Sequence, residues 1–257
     1  MRFGVFGWPV AHSRSPAMFR ALGVDYQLLP CPPELFLETA RALGASGFGG
    51  ANVTMPHKEA ALALADSASA RARAIGAANT LTYAQDGTIS AENTDAPGVL
   101  AALEQDVAGK TALVLGAGGS ARAIVWALQD AGAREVRIWN RTPERAEQIA
   151  RDLDVTVTRT ASPADVLVNC TAAGLEDPAT TFAELPLDAR DLGDYPTVVD
   201  MVYRAGGTAF LKAAKERGAR TVDGLEVLVR QGAISYAIWT GLTPDLDAMR
   251  RGAAGTA

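Results

Sequence analysis

Apolar residues fall along this chain in two rhythms. The runs Arg2–Phe6, Asp25–Leu29 and Gly47–Val53 are short and bounded by Gly or Pro, which predicts strands. Between them, Glu34–Leu43, Glu59–Ala65 and Ala70–Ile75 space their apolar residues as helices do. Ser15-Pro16 has the form of a helix start, with Ser15 as N-cap and Pro16 at the first helical position. Thr80–Ala84 and Thr88–Ala91, joined across Asp86-Gly87, predict a hairpin.

A second unit begins near Pro97. A helix over Val99–Gln105 precedes the apolar strand Thr111–Leu115, which runs straight into Gly116-Ala117-Gly118-Gly119-Ser120-Ala121. A helix to Ala131 and a strand over Glu135–Trp139 complete a βαβ unit. Further strands are expected at Val166–Asn169, Thr197–Asp200 and Arg220–Val222, and an amphipathic helix over Leu225–Thr240. The fold class is therefore α/β: an N-terminal α/β domain plus a Rossmann-like, doubly wound nucleotide domain.

Composition narrows the function classes. With 48% hydrophobic and 21% charged residues the chain can build its core without a disulfide or a structural metal. A net charge of −5 argues against a nucleic-acid partner. Cys31 and Cys170 are far apart and lack metal-ligand spacing, so both are expected as reduced thiols, and His12 and His57 form no ligand cluster; no metal is expected. No window approaches a membrane span and Met1-Arg2-Phe3-Gly4 opens no secretion leader, so the expectation is a cytoplasmic, soluble protein.

The glycine-rich turn carries the first chemistry. Gly116 permits the tight turn, Gly118 lets backbone approach a pyrophosphate, and Ala121 allows close helix–strand packing. The following helix offers unpaired N–H groups to phosphate. At the end of the next strand, where NAD-specific sites place Asp or Glu, this chain has Asn140, then Arg141, Thr142 and Arg145. Two guanidiniums without that carboxylate favour a 2′-phosphate, hence NADP. Arg145 taken alone also reads as a partner of Glu144 or Glu147 on a solvated face, a reading that fits the set of residues less well.

Polar clusters in the first unit carry the second chemistry. Ser13 and Ser15 flank Arg14. Asn52-Val53-Thr54-Met55-Pro56-His57-Lys58 sits at a strand end, and Asn79-Thr80 and Asn93-Thr94-Asp95 follow. Lys58 is the only lysine before Lys110 in a chain that otherwise prefers arginine, so a compact titratable amine is wanted there.

Taken together these motifs resemble the shikimate dehydrogenase family almost end to end. The resemblance rests on Gly7 through Pro16, on Asn52-Val53-Thr54 with Pro56 and Lys58, and on Asn93-Thr94-Asp95 with Gly98. It continues through the glycine-rich turn, Asn140-Arg141-Thr142, Asn169-Cys170-Thr171 with Gly174, Asp200-Met201-Val202-Tyr203, Gly224 and Gln231. It implies a substrate-binding and catalytic domain of residues 1–97, completed by C-terminal helices 224–257, and an NADP-binding domain of residues 98–223. It implies NADP-dependent oxidation of shikimate to 3-dehydroshikimate by a monomer or homodimer. Ser13 and Ser15, helped by Tyr203, would hold the substrate carboxylate; Thr54, Asn79, Asp95 and Gln231 would bond ring hydroxyls. Met201 and Gly224 would join the cofactor site. Lys58 and Asp95 would flank the oxidised carbon and share the proton, their division of that work being left open.

Two departures and three rivals stand beside that resemblance. The segment after Pro16 runs to Gly23 about three residues short of the family pattern, and Arg204–Thr208 lacks the prolines common there, which predicts a looser segment. The rivals are a dehydrogenase for quinate or for both substrates, a non-catalytic binding regulator, and a folate-type dehydrogenase. The paired serines speak against the last, and the presence of both Lys58 and Asp95 against the regulator.

Overall fold

The computed structural model describes residues 1–255. Two compact units divide it: Met1–Gly98 with the chain from Leu228 onward, and Val99–Val227.

The first unit contains β1 (Arg2–Gly7), α1 (Ser15–Arg20), β2 (Tyr26–Pro30), α2 (Phe36–Leu43), β3 (Phe48–Val53), α3 (Lys58–Leu64), β4 (Ser67–Ala68), α4 (Ala70–Ile75), β5 (Thr80–Tyr83) and β6 (Ile89–Glu92). Helix α5 (Asp95–Leu103) begins in it. Its sheet order is β2-β1-β3-β5-β6-β4. β1 runs parallel to both β2 and β3, whereas β5 runs antiparallel to its neighbours β3 and β6, forming with β6 the expected hairpin. β3 is buried along its whole length, which explains its continuous small and apolar sequence. Phe6, Phe36, Val53 and Leu81 close a core against α2 and α3.

Register does the positioning. Asn52 lies opposite Thr80, and Thr80 opposite Glu92, so the end of β3, the start of β5 and the end of β6 meet at one end of the sheet. α1 is short and seats closely on the C-terminal helices: a Cβ on Gly252 would come within 2.6 Å of the Ala17 carbonyl, and one on Gly232 within 2.4 Å of Met18 Cε.

The second unit holds β7 (Thr111–Leu115), α6 (Gly119–Asp130), β8 (Glu135–Trp139), α7 (Pro143–Leu153), β9 (Thr156–Val157), β10 (Val166–Asn169), β11 (Thr197–Asp200), α8 (Ala209–Glu216) and β12 (Arg220–Asp223). All its strand pairs are parallel, in the order β12-β11-β10-β7-β8-β9. This is the doubly wound dinucleotide-fold order, reversing between β7 and β10. Buried Leu113, Leu167, Val198 and Phe210 fill one side of that sheet. α9 (Gly224–Thr240) leads back to the first unit, and α10 (Leu246–Ala254) ends the described helices.

Several boundaries differ from the sequence reading. Ser15 is the first residue of α1 rather than its N-cap, which is Arg14, because the Ser15 hydroxyl is engaged by Ser13 Oγ at 3.2 Å. α5 starts at Asp95, not Val99: Asn93 Oδ1 accepts from the Ala96 N–H at 3.3 Å, and an acidic first residue suits a helix N-terminus. α6 begins at Gly119, inside the glycine-rich turn, and ends at Asp130. α7 and α8 lie outside the sequence reading, and α10 falls within the C-terminal helices expected over 224–257.

Candidate active site

Lys58 is the first residue of α3 and Asp95 the first of α5. Their side chains meet in a buried ion pair, Nζ to Oδ2 at 2.5 Å. The other carboxylate oxygen, Oδ1, accepts from Asn79 Nδ2 at 2.8 Å. Asn79 is the hinge of the arrangement: its amide also approaches Thr94 Oγ1 at 3.0 Å and Gln231 Oε1 at 3.2 Å, and its Oδ1 accepts from the Thr94 N–H at 2.7 Å. Two further bonds tie the neighbouring chain together, the Ala78 N–H donating to the Lys58 carbonyl and Asn93 Nδ2 to the Ala77 carbonyl, each at 2.9 Å. The sequence-selected Lys58, Asn79, Asp95 and Gln231 are thus one cluster, drawn from four separate stretches of chain.

Behind it lies a layer the sequence reading missed. Ser235, wholly buried, is within 2.9 Å of both Asn52 Nδ2 and Thr80 Oγ1 and 3.2 Å of Thr94 Oγ1. Tyr26 donates its hydroxyl to Asn52 Oδ1 at 2.8 Å. Ser235 is one helical turn beyond Gln231 on α9, so a shared helix face was the available signal. A buried network of this kind is costly to interrupt. Ser235→Ala is expected to lower unfolding stability by about 1–3 kcal/mol, read as the urea midpoint at unchanged m-value; a change inside experimental error would mean that the hydroxyl is dispensable.

Ser13 is half-buried and Ser15 buried, their hydroxyls 3.2 Å apart after the turn that follows β1. Thr54 leaves the end of β3, its N–H bonded to the Phe6 carbonyl at 2.8 Å. Its methyl lies so close to the turn that a Cβ on Gly7 would come within 2.5 Å of it. Among the described residues no hydrogen bond links the two serines to the Lys58 cluster. His57 serves the core: its ring stacks on Phe36 at 4.4 Å, and Nε2 is 2.8 Å from the Cys31 carbonyl. Burial holds its pKa below the usual histidine value, against the raising effect of that backbone contact.

In the second unit the strand ends form the other site. Gly116 has φ 106°, in the region that favours glycine, and a Cβ there would come 2.9 Å from the Cys170 carbonyl carbon. Gly118 caps α6, and a Cβ on it would meet nothing within 4 Å. Its outer side is open backbone, the space a pyrophosphate needs beside the N–H groups of a 12-residue helix. Ala117 lines that hollow, Gly119 and Ser120 open α6, and Ala121 is fully buried beneath it. Asn140, Arg141 and Arg145 border the same hollow. Asn140 Nδ2 donates to the carbonyl of Thr142, the N-cap of α7, at 2.8 Å. The residues present fit a dinucleotide carrying a 2′-phosphate.

Met201 and Tyr203 are half-buried in the turn after β11, and the Met201 N–H donates to the Asn169 carbonyl at 2.9 Å. Gly224 starts α9 where a Cβ would come within 2.6 Å of the Met201 carbonyl. The loosening expected from the absent prolines is opposed by Arg204, whose Nη1 donates to the carbonyls of Gly174 at 3.0 Å and Leu175 at 2.8 Å. Cys31 and Cys170 are free thiols. Among the described residues no group of His, Cys, Asp or Glu is arranged to hold a metal, and no helix is long and apolar enough to cross a membrane.

Comparison with known proteins covers nearly the whole chain. Residues 5–81 match the shikimate dehydrogenase substrate binding domain, residues 99–176 the shikimate / quinate 5-dehydrogenase model, and residues 224–251 the shikimate 5'-dehydrogenase C-terminal domain. A shikimate dehydrogenase (NADP(+)) of Thermus thermophilus is 44% identical over 98% of this chain and 97% of its own. One from Methylobacterium radiotolerans is 42% identical over 94% and 93%. The crystal structure of shikimate 5-dehydrogenase from a second Thermus thermophilus strain, in complex with NADP(H) and shikimate, is 41% identical, covers 100% of both chains and superposes with a TM-score of 0.87.

Proposed function

Because the chain belongs to the shikimate dehydrogenase family, we propose that it catalyses the reversible, NADP-dependent oxidation of shikimate to 3-dehydroshikimate. The observation that carries the reading is the buried Lys58–Asp95 pair, held by Asn79 and backed by a buried polar layer. We assign residues 1–97 and the helices from 224 onward to the substrate, and 98–223 to the cofactor; the two compact units support this division.

Oxidation of a ring CH–OH breaks a C–H and an O–H bond, sending hydride to an acceptor and a proton to a base. NADP, when bound, supplies the hydride acceptor, or the donor in the reverse direction. The remaining work belongs to the chain. Lys58 Nζ, held 2.5 Å from Asp95 Oδ2, exchanges the proton with the substrate hydroxyl, the amine taking it in oxidation and the ammonium returning it in reduction. Asn79 fixes Asp95 through Oδ1, which keeps Oδ2 aimed at Lys58. Asn79, Gln231 and Thr54 supply the amides and hydroxyl that bond ring hydroxyls, and the Ser13 and Ser15 hydroxyls receive the carboxylate. The turn Gly116–Ala121 takes the pyrophosphate, Asn140, Arg141, Thr142 and Arg145 the 2′-phosphate end, and Met201 and Gly224 flank the remainder. The protein works in the cytoplasm as a monomer or homodimer, with a small-molecule substrate.

The test pairs shikimate or quinate with NADP or NAD and follows absorbance of the reduced nicotinamide. Rapid reduction with shikimate and NADP is the expected result. The quinate arm is included because the model matching residues 99–176 is described for both acids. Faster turnover of quinate would move the substrate assignment there, since a single hydroxyl is discriminated by pocket shape. No turnover in any arm by folded protein would overturn the enzymatic reading.

A further inference from the structure

The hollow beside the glycine-rich turn contains a group that the NADP reading does not use. Glu184 is the only carboxylate among its described lining residues, and it faces the guanidinium expected to hold the 2′-phosphate. Its Oε2 lies 3.6 Å from Arg141 Nη1, and its Oε1 accepts from the Thr180 hydroxyl at 3.3 Å. The carboxylate is also presented by a fixed scaffold. Glu184 sits in a short 3-10 turn, Phe182–Glu184, whose Phe182 and following Leu185 pack on the sheet core. The Phe182 ring stacks against Phe210 at 6.0 Å.

We infer that Glu184 is a specificity-determining residue of the cofactor site: it competes with a 2′-phosphate for Arg141 and offers a 2′-hydroxyl the carboxylate that position 140 lacks. This rests on the NADP assignment and refines it. Dinucleotide folds that choose NAD place an acidic residue at the ribose 2′-hydroxyl, normally at the end of the second strand. Here that strand end carries Asn140, and the acid reaches the same hollow from the loop between β10 and β11.

Magnitudes decide the sign. The Arg141 side chain is 77% exposed, so its pair with Glu184 is a surface pair and organises the guanidinium little. A bound 2′-phosphate, by contrast, brings nearly two negative charges to within a few ångströms of the carboxylate, and that repulsion exceeds what the weak pair returns. Glu184 therefore lowers NADP affinity and narrows the gap between the two cofactors.

Glu184→Gln keeps the shape and removes the charge. Titration of wild type and E184Q with NADP and with NAD, followed by protein fluorescence at low salt, is expected to show NADP binding tightened by about three- to tenfold in the variant. NAD binding should be equal or weaker, and the NADP gain should shrink at high ionic strength. Because both cofactors are read in one protein, general damage would weaken both and is distinguishable. Unchanged or weaker NADP binding in E184Q, with NAD binding intact, overturns the inference. A wild-type protein that favours NAD would instead overturn the NADP assignment, whatever E184Q does.

Discussion

Replacing Lys58 by Ala is expected to reduce turnover of shikimate with NADP by about 10²–10⁴-fold, the range lost with a general acid–base group. The side chain is buried, and its ammonium lies 2.5 Å from an Asp95 carboxylate whose second oxygen is already occupied by Asn79. Among the described residues no other lysine, arginine or histidine is bonded to Asp95 in that cluster, so nothing nearby inherits the proton. The substitution also strands a buried carboxylate, and breaking such a pair costs about 3–5 kcal/mol of stability. A rate loss alone would therefore be ambiguous. NADP affinity separates the causes, because the residues assigned to the cofactor belong to the second unit. The expected outcome is a folded protein by circular dichroism, NADP binding within about twofold of wild type, and kcat lower by at least about two orders of magnitude. A loss under about threefold would remove Lys58 from the proton transfer.

What the sequence made legible and what it hid divide on physical lines. The glycine-rich turn and the Lys58, Asn79, Asp95 and Gln231 cluster could be read because each needs a particular residue type: Gly116 needs φ 106°, and Lys58 breaks a chain-wide preference for arginine. Five of the six strands of the parallel sheet could be read, β10 and β11 most clearly, as short apolar runs buried along their whole length. α7 escapes the sequence reading although Pro143 stands at its start, because its residues are mostly polar and only Ala146 and Ile149 are buried. β4 and β9 have two residues each, too few for any period to register. Ser235, apart from the helix face it shares with Gln231, and Glu184 escaped for another reason. Their importance lies in partners, Asn52, Thr80 and Thr94 for one and Arg141 for the other, which only the folded register brings near.

Asp200→Asn is expected to stabilise the protein above neutral pH, an outcome opposite to that of most changes at a buried polar site. Asp200 ends β11 and is almost wholly buried. Its Oδ1 accepts from Asn169 Nδ2 at 2.9 Å and from the Val202 N–H at 3.1 Å, while Oδ2 has no hydrogen-bond partner among the described residues. Burial pushes its pKa from the ordinary 3.8 up to about 7, against the opposing influence of Thr208, Val202 and Asn169, with Asp223 of the adjacent strand pushing further upward. The folded protein thus keeps a proton that the unfolded chain releases near pH 4, so stability contributed by this group falls as pH rises from about 4 to about 7. At about 1.36 kcal/mol for each pH unit, the penalty on the ionised form reaches roughly 4 kcal/mol by about pH 8. Asparagine keeps the acceptor for Asn169 and Val202, has no charge to bury, and turns the unpartnered oxygen into a donor. Urea unfolding at about pH 5 and about pH 8 should therefore show a variant-minus-wild-type difference that grows by about 3 kcal/mol between the two. If that difference is the same at both pH values, Asp200 is ionised in the folded protein throughout and its burial is compensated by contacts other than those to Asn169 and Val202.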